Sequence, residues 1–183
     1  VKLSPWPMIA TLFRIFIVPV IVTLMMFQPN HWALFSCALF IVASITDWLD
    51  GYLARKLNSV SIMGKFLDPI ADKVLVSSIL IMFIPLEAFE AFAVIILINR
   101  DVIIGGVRSI AAAQGQVIDA GQLGKWKTTI QMIAIPSLLL GQVWDFIPFT
   151  SIGYWGLWVS VIFSLVSGFQ YFMAFYNTQN VRS

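Results

Sequence analysis

The stretch "DWLDGYLARKLNSVSIMGKFLDPIADK", residues 47–73, decides how this chain is read. It carries Asp47, Asp50, Asp68 and Asp72 between long apolar runs. On a helix of 3.6 residues per turn, Asp47 and Asp50 are three apart and share a face. Asp68 and Asp72 are four apart and do the same, with Gly64 one turn earlier and Gly51 and Ala54 close to the first pair. The connection between the two segments is short, so the helices can be antiparallel neighbours whose four carboxylates converge at one end.

The surrounding composition makes that convergence significant. The chain has 183 residues, of which 60% are hydrophobic and 11% charged, with a mean hydropathy of +0.90. Soluble domains are nearer half apolar, with about a quarter charged. Apolar stretches of roughly 20 residues, the length that crosses a bilayer as a helix, recur along the chain. They are continuous and do not alternate, which argues against a β-barrel. The fold class expected is all-α: a polytopic membrane protein, a bundle of six transmembrane helices with an active-site cavity facing the cytoplasm. Residues 1–183 read as one domain, without repeats or linkers. A single cysteine, Cys37, excludes an internal disulfide, and with one histidine, His31, the usual thiolate or imidazole zinc sites are excluded too. No basic run suggests nucleic-acid binding. The first apolar run is long enough to be a retained helix rather than a cleaved leader.

Turn signals place the six helices at about 6–27, 31–57, 65–84, 89–113, 125–143 and 152–176, with Pro136 as a kink in the fifth. The connections after the first, third and fifth helices, "QPNH", "IPLEAFEA" and "GQVWDFIPFT", contain no Lys or Arg. All 11 basic residues lie toward the other side, which the positive-inside rule assigns to the cytoplasm together with both termini.

Charged side chains near a bilayer core cost a few kcal/mol each on insertion scales, and four mutually repelling carboxylates cost more. Hard divalent cations remove that penalty, because carboxylate oxygens are their natural ligands. Two Mg2+ or Mn2+ ions balance the four aspartates and suit a phosphate-bearing substrate, since paired metals clamp the attacking and leaving oxygens of a displacement. Gly51, Ala54 and Gly64 keep the walls low, and Arg55 can neutralise a phosphate or hold an aspartate. Two other readings stand beside this one. One is an ion-paired helix interface with Arg55, Lys65 and Lys73; the other is a cation or proton pathway in a metal-gated transporter. The carboxylates cluster at one face and do not ladder across, which disfavours a pathway.

The pattern Asp47-x2-Asp50-Gly51-x2-Ala54-Arg55-x8-Gly64-x3-Asp68-x3-Asp72 resembles the signature of the CDP-alcohol phosphotransferases at every specified position. The six-helix plan resembles that family along essentially the whole chain. The resemblance implies two divalent metals, a CDP-linked donor and release of CMP. It implies Asp47, Asp50, Asp68 and Asp72 as metal ligands, Asp72 also as general base on the acceptor hydroxyl, and Gly51, Ala54, Arg55 and Gly64 as the CDP pocket. It also implies a homodimer.

A second constellation bears on the acceptor. Thr11 and Arg14 are three apart on the first helix, Arg100 and Arg108 lie along the fourth, and Lys125, Lys127, Thr128 and Gln131 open the fifth. Cations converging beside a metal site suggest a second anionic ligand, a phosphate. Snorkelling at the interface is the other reading for Lys125 and Lys127. The segments "TLFRIFIVP", "NRDVIIGGVR" and "GQLGKWKTTIQM" resemble bacterial members of the family whose acceptor is sn-glycerol 3-phosphate and whose donor is CDP-diacylglycerol. That likeness implies a phospholipid-synthesising enzyme of the bacterial cytoplasmic membrane, with those eight residues around the acceptor phosphate. Inositol phosphate, serine and phosphatidylglycerol are the other acceptors to weigh; of these inositol phosphate is nearest, because it too would use the cations.

Overall fold

A computed structural model describes the backbone of residues 6–27, 30–57, 62–113, 121–144 and 146–180, and side chains over 11–27, 32–47, 49, 70–113, 121–144 and 146–176. Its six helices are α1 (Trp6–Met26), α2 (Asn30–Leu57), α3 (Ile62–Met82), α4 (Ala91–Ala113), α5 (Gly121–Gly141) and α6 (Phe149–Asn180). No strand occurs among the described residues. The all-helical plan and the number of helices agree with the sequence reading.

The boundaries move where local chemistry allows. α5 begins four residues earlier than Lys125, at Gly121, whose φ of 54° is a left-handed entry that glycine adopts without a steric penalty. α6 starts at Phe149, immediately after Pro148, whose carbonyl accepts from the amide of Ile152 at 3.0 Å. α3 stops at Met82, and a tight turn through Pro85 and Glu87 follows. Glu87 takes φ 52°, and the amide of Ala88 donates back to the carbonyl of Phe83 at 3.0 Å. Pro136 lies inside α5 without ending it, as buried helices tolerate when neighbours satisfy the freed groups. The Cys37 thiol of α2 approaches the Pro136 carbonyl, at 3.8 Å.

Each helix turns one stripe inward at alternating spacings of three and four, the period of a helix face. On α1 it runs Thr11, Arg14, Val18, Ile21, Met25; on α2, Ser36, Phe40, Ala43; on α5, Lys127, Gln131, Ala134, Leu138; on α6, Leu157, Ser160, Ser164, Ser167, Tyr171. Apart from single serines such as Ser36 and Ser137, the stripes are apolar at one end of the bundle and polar at the other. Ile21, Phe40, Phe83, Leu97, Leu138 and Leu157 fill the apolar end. The polar ends fall in the first half of α1, the end of α2, the start of α3, the second half of α4, the start of α5 and the second half of α6. Six helices running alternately up and down bring all of these to one end.

α5 and α6 form the closest pair, α1 packs on α2 and α3, and α4 lies against α6. The α5–α6 approach depends on Gly153. A Cβ there would sit 2.6 Å from the amide nitrogen of Leu138 and 2.8 Å from the carbonyl oxygen of Ala134. Small residues at such a contact let helix backbones meet closely. At the apolar end, the Phe89 ring meets Tyr154 and Trp158 edge-on, at centroid distances of 5.8 and 6.0 Å. The Tyr154 hydroxyl donates to Glu90.

The outer surface is inverted relative to a soluble bundle. Large apolar side chains are exposed on every helix, among them Phe16, Phe35, Ile81, Phe92, Ile133 and Phe169. The described segment Phe149–Tyr176 is by itself long and apolar enough to cross a membrane, and Thr11–Met26 and Trp32–Asp47 are shorter apolar helical stretches. Arg100, Asp101 and Arg108 in α4, and Lys125 and Lys127 in α5, lower the hydropathy of those helices.

Candidate active site

The polar end holds the candidate site. Asp47 continues the inward stripe of α2, four residues beyond Ala43, and Asp72 begins that of α3, four before Val76. Arg14, fully buried on α1, forms an ion pair with Asp47. Asp72 is half-buried and lies within electrostatic range of Asp47, Arg14, Asp101 and Lys127. Groups from α1 to α5 therefore meet around one carboxylate, although their positions run from 14 to 127 in the chain. Thr11, one turn before Arg14, is buried on the same face.

Asp101 is the junction of the other half. Its Oδ1 accepts from the ammonium of Lys127 and from Arg100 Nη1, the latter at 3.1 Å. Its main-chain carbonyl accepts from Lys73 Nζ at 2.9 Å. Arg100 also donates Nε to the carbonyl of Ser164 at 2.9 Å and Nη2 to Ser167 Oγ at 2.6 Å. Gly168 makes that route possible, since a Cβ there would lie 3.2 Å from Arg100 Nε and 3.3 Å from its Cγ. Hydrogen bonds to charged groups contribute about 1.5–3 kcal/mol each, so the guanidinium is a strong tie between α4 and α6.

Lys127 and Gln131 are buried one turn apart on α5, and Gln131 Nε2 has no hydrogen-bond partner among the described residues. Lys125 and Thr128 are exposed on the same helix, with the Thr128 hydroxyl donating to the carbonyl of Gly124 at 3.3 Å. Arg108 is exposed on α4 and lies over the Tyr171 ring, 5.7 Å from its centroid, within cation–π range. The structure thus gathers Arg14, Asp47, Asp72, Lys127 and Arg100 around the polar end, whereas Arg108, Lys125 and Thr128 face outward.

Asp50, Gly51, Ala54 and Arg55 belong to the last turns of α2, and Gly64 and Asp68 to the first turns of α3. Their side chains lie outside the described residues. Among the described residues no three His, Cys, Asp or Glu side chains are close enough to hold a metal ion. Asp47 and Asp72 are hard oxygen donors within electrostatic range of each other. A divalent cation with further oxygen ligands suits such a donor set.

The sequence places α6 but does not assign it any part in the polar end. Ser160, Ser164 and Ser167 lie at spacings of four and three on its buried stripe, with Tyr171 four further on. That polar stripe on a helix otherwise apolar was the available signal. The link of Asp101 on α4 to Lys127 on α5 joins two helices and has no local signal in the sequence.

Residues 5–166 match the CDP-alcohol phosphatidyltransferase family. A Bacillus subtilis CDP-diacylglycerol–glycerol-3-phosphate 3-phosphatidyltransferase is 41% identical, over 88% of this chain and 90% of its own. Proteins of the same name from Wigglesworthia glossinidia brevipalpis and Rickettsia typhi are 39% and 34% identical, each covering at least nine-tenths of both chains. With the match running from the start of α1 into α6, the chain belongs to the CDP-alcohol phosphatidyltransferase family.

Proposed function

We propose that this protein transfers the phosphatidyl group of CDP-diacylglycerol to sn-glycerol 3-phosphate, giving phosphatidylglycerol phosphate and CMP. The observation that carries the proposal is the meeting of Asp47 and Asp72 with Arg14 and Lys127 at one end of the bundle. It occurs in a chain 41% identical to a protein named for that reaction.

The roles follow from position. Asp72 accepts the proton of the acceptor's primary hydroxyl as its oxygen attacks the phosphorus that bears diacylglycerol. The bond from that phosphorus to the CMP oxygen breaks, and CMP leaves with the electron pair. Asp47 and Asp72, with Asp50 and Asp68 at helical spacing from them in the sequence, would hold two Mg2+ or Mn2+ ions, which would supply charge neutralisation on the phosphoryl oxygens. Arg14 fixes Asp47 through their ion pair. Gly51, Ala54, Arg55 and Gly64 flank those aspartates in sequence and form the CDP pocket. Lys127 and Gln131 take the acceptor phosphate, and Thr11 and Arg100 complete the polar surroundings, with the exposed Arg108, Lys125 and Thr128 outside them.

The same reading makes the chain one polytopic unit of the bacterial cytoplasmic membrane, with six spanning helices and the polar end toward the cytoplasm. Apolar exposure on all six helices supports it, because a patch of that extent marks contact with lipid or another protein. So does the absence of Lys and Arg from the connections after the first, third and fifth helices, given the positive-inside rule. The acyl chains of the donor then remain in lipid while its diphosphate reaches the site. A homodimer accompanies this reading, on the family resemblance.

The test is CMP release from CDP-diacylglycerol by the purified protein in detergent with Mg2+ or Mn2+. Each acceptor is supplied in turn: glycerol 3-phosphate, inositol phosphate, serine and phosphatidylglycerol. Release with glycerol 3-phosphate alone is expected. Release with inositol phosphate instead would replace the acceptor, and no release with any acceptor would defeat the enzyme reading.

A further inference from the structure

Lys127 is a buried cation on a flexible four-carbon stem, and its place in the polar end has to be fixed by something. Two carboxylates act on it, Asp101 and Asp72. The ammonium is bonded to Asp101. Asp101 is in turn fixed twice, by Arg100 Nη1 at 3.1 Å on its carboxylate and by Lys73 Nζ at 2.9 Å on its carbonyl. Arg100 is itself anchored to Ser164 and Ser167 of α6.

We propose that Asp101 is a positioning residue for the acceptor pocket, holding the Lys127 ammonium beside Asp72 and not on it. A lysine carries about 2 kcal/mol of rotamer entropy, and a buried ammonium requires a partner. Without the Asp101 carboxylate, the remaining acidic neighbour of Lys127 among the described residues is Asp72. The ammonium would move onto the group that accepts the hydroxyl proton and away from the acceptor phosphate. The charge balance points the same way. Lys127 and Arg100 on the Asp101 carboxylate, with Lys73 on its carbonyl, set three cations against that one carboxylate, a surplus of two positive charges. A phosphate monoester carries between one and a half and two negative charges at neutral pH. Asp101 therefore trims the pocket to the charge of its ligand as well as orienting the lysine. This inference rests on the reading of Lys127 as a ligand of the acceptor phosphate.

The experiment measures CMP release for Asp101→Asn, Asp101→Glu and Lys127→Met, and for Asp101→Asn combined with Lys127→Met, varying acceptor and lipid donor separately. Asp101→Asn should raise the KM for glycerol 3-phosphate about tenfold, the scale of losing one charged hydrogen bond, with the lipid KM within about twofold. Asp101→Glu should recover most of the loss. In the Lys127→Met background, Asp101→Asn should add nothing, because coupled residues are non-additive. An unchanged acceptor KM in Asp101→Asn overturns the inference, as does an equal rise with and without Lys127. If Asp101→Asn does not yield folded protein, Gly168→Ala makes the same comparison, since it displaces the Arg100 anchor. It should raise the acceptor KM about threefold, a fraction of that bond, and not at all in the Lys127→Met background. A normal acceptor KM in Lys127→Met itself overturns the underlying reading of Lys127. A raised one beside a normal Asp101→Asn overturns only the role of Asp101.

Discussion

The carboxylates and the cations of the polar end are held in place by different means. Asp47 and Asp72 are placed by their own helices, as the next inward positions of stripes that also carry Ala43 and Val76. Arg100, Lys127 and Lys73 are placed by partners on other helices, 26 to 67 residues away along the chain. The first half needs little beyond helical periodicity. The second is a network in which α3, α4, α5 and α6 hold one another. Changes in the first half should therefore remove chemistry and leave the fold. Changes in the second should shift acceptor binding by amounts that depend on what each cation is bonded to.

Four measurements break or sharpen that contrast. The largest effect is expected from chelation. Stripping divalent cations with EDTA should lower CMP release by at least about a thousandfold, corresponding to several kcal/mol of lost charge stabilisation. Added Mg2+ or Mn2+ should restore it, and activity that survives chelation would remove metals from the carboxylate half. Next is Asp72→Asn, for which kcat should drop at least about a hundredfold, the range for losing a general base. Its gel-filtration profile and thermal unfolding should stay those of the parent protein; near-normal turnover would take the base role from Asp72. Third, Lys127→Ala should raise the KM for glycerol 3-phosphate by about tenfold to a hundredfold, the loss of a charged hydrogen bond, while the lipid KM stays put. Equal changes in both would mean that the cation half does not distinguish acceptor from donor. The smallest effect belongs to Lys125→Ala. Lys125 is exposed, and an exposed charge contributes little, so the acceptor KM should move by less than about twofold. A change as large as that for Lys127 would erase the difference between the buried and exposed cations.

The same contrast explains what the sequence revealed. Six helices, their approximate limits and the inward placement of Asp47 and Asp72 are local features, written in runs of apolar residues, prolines and spacings of three and four. The start of α5 at Gly121 was missed because a glycine entering a helix with positive φ looks like loop. For the cations, the sequence could name Arg14, Arg100 and Lys127 but not what each touches. Nothing near Lys127 in the chain points to Asp101, and nothing near Arg100 points to Ser164 and Ser167. Those contacts arise only when α4, α5 and α6 pack, and packing between distant helices has no local periodic signature.

The anchorage of Arg100 on α6 bears on the order in which the site is built. Chains are made from the N-terminus at about 5–20 residues per second, so α1, α2 and α3 emerge with Arg14, Asp47 and Asp72 already in hand. Arg100 follows on α4, but its bonds to the Ser164 carbonyl and the Ser167 hydroxyl exist only once the last helix has docked. The carboxylate half can thus take shape during synthesis, while the cation network closes last. A nascent chain halted before α6 would carry the acidic half of the machinery without the means to hold Arg100, and with it Asp101, in place.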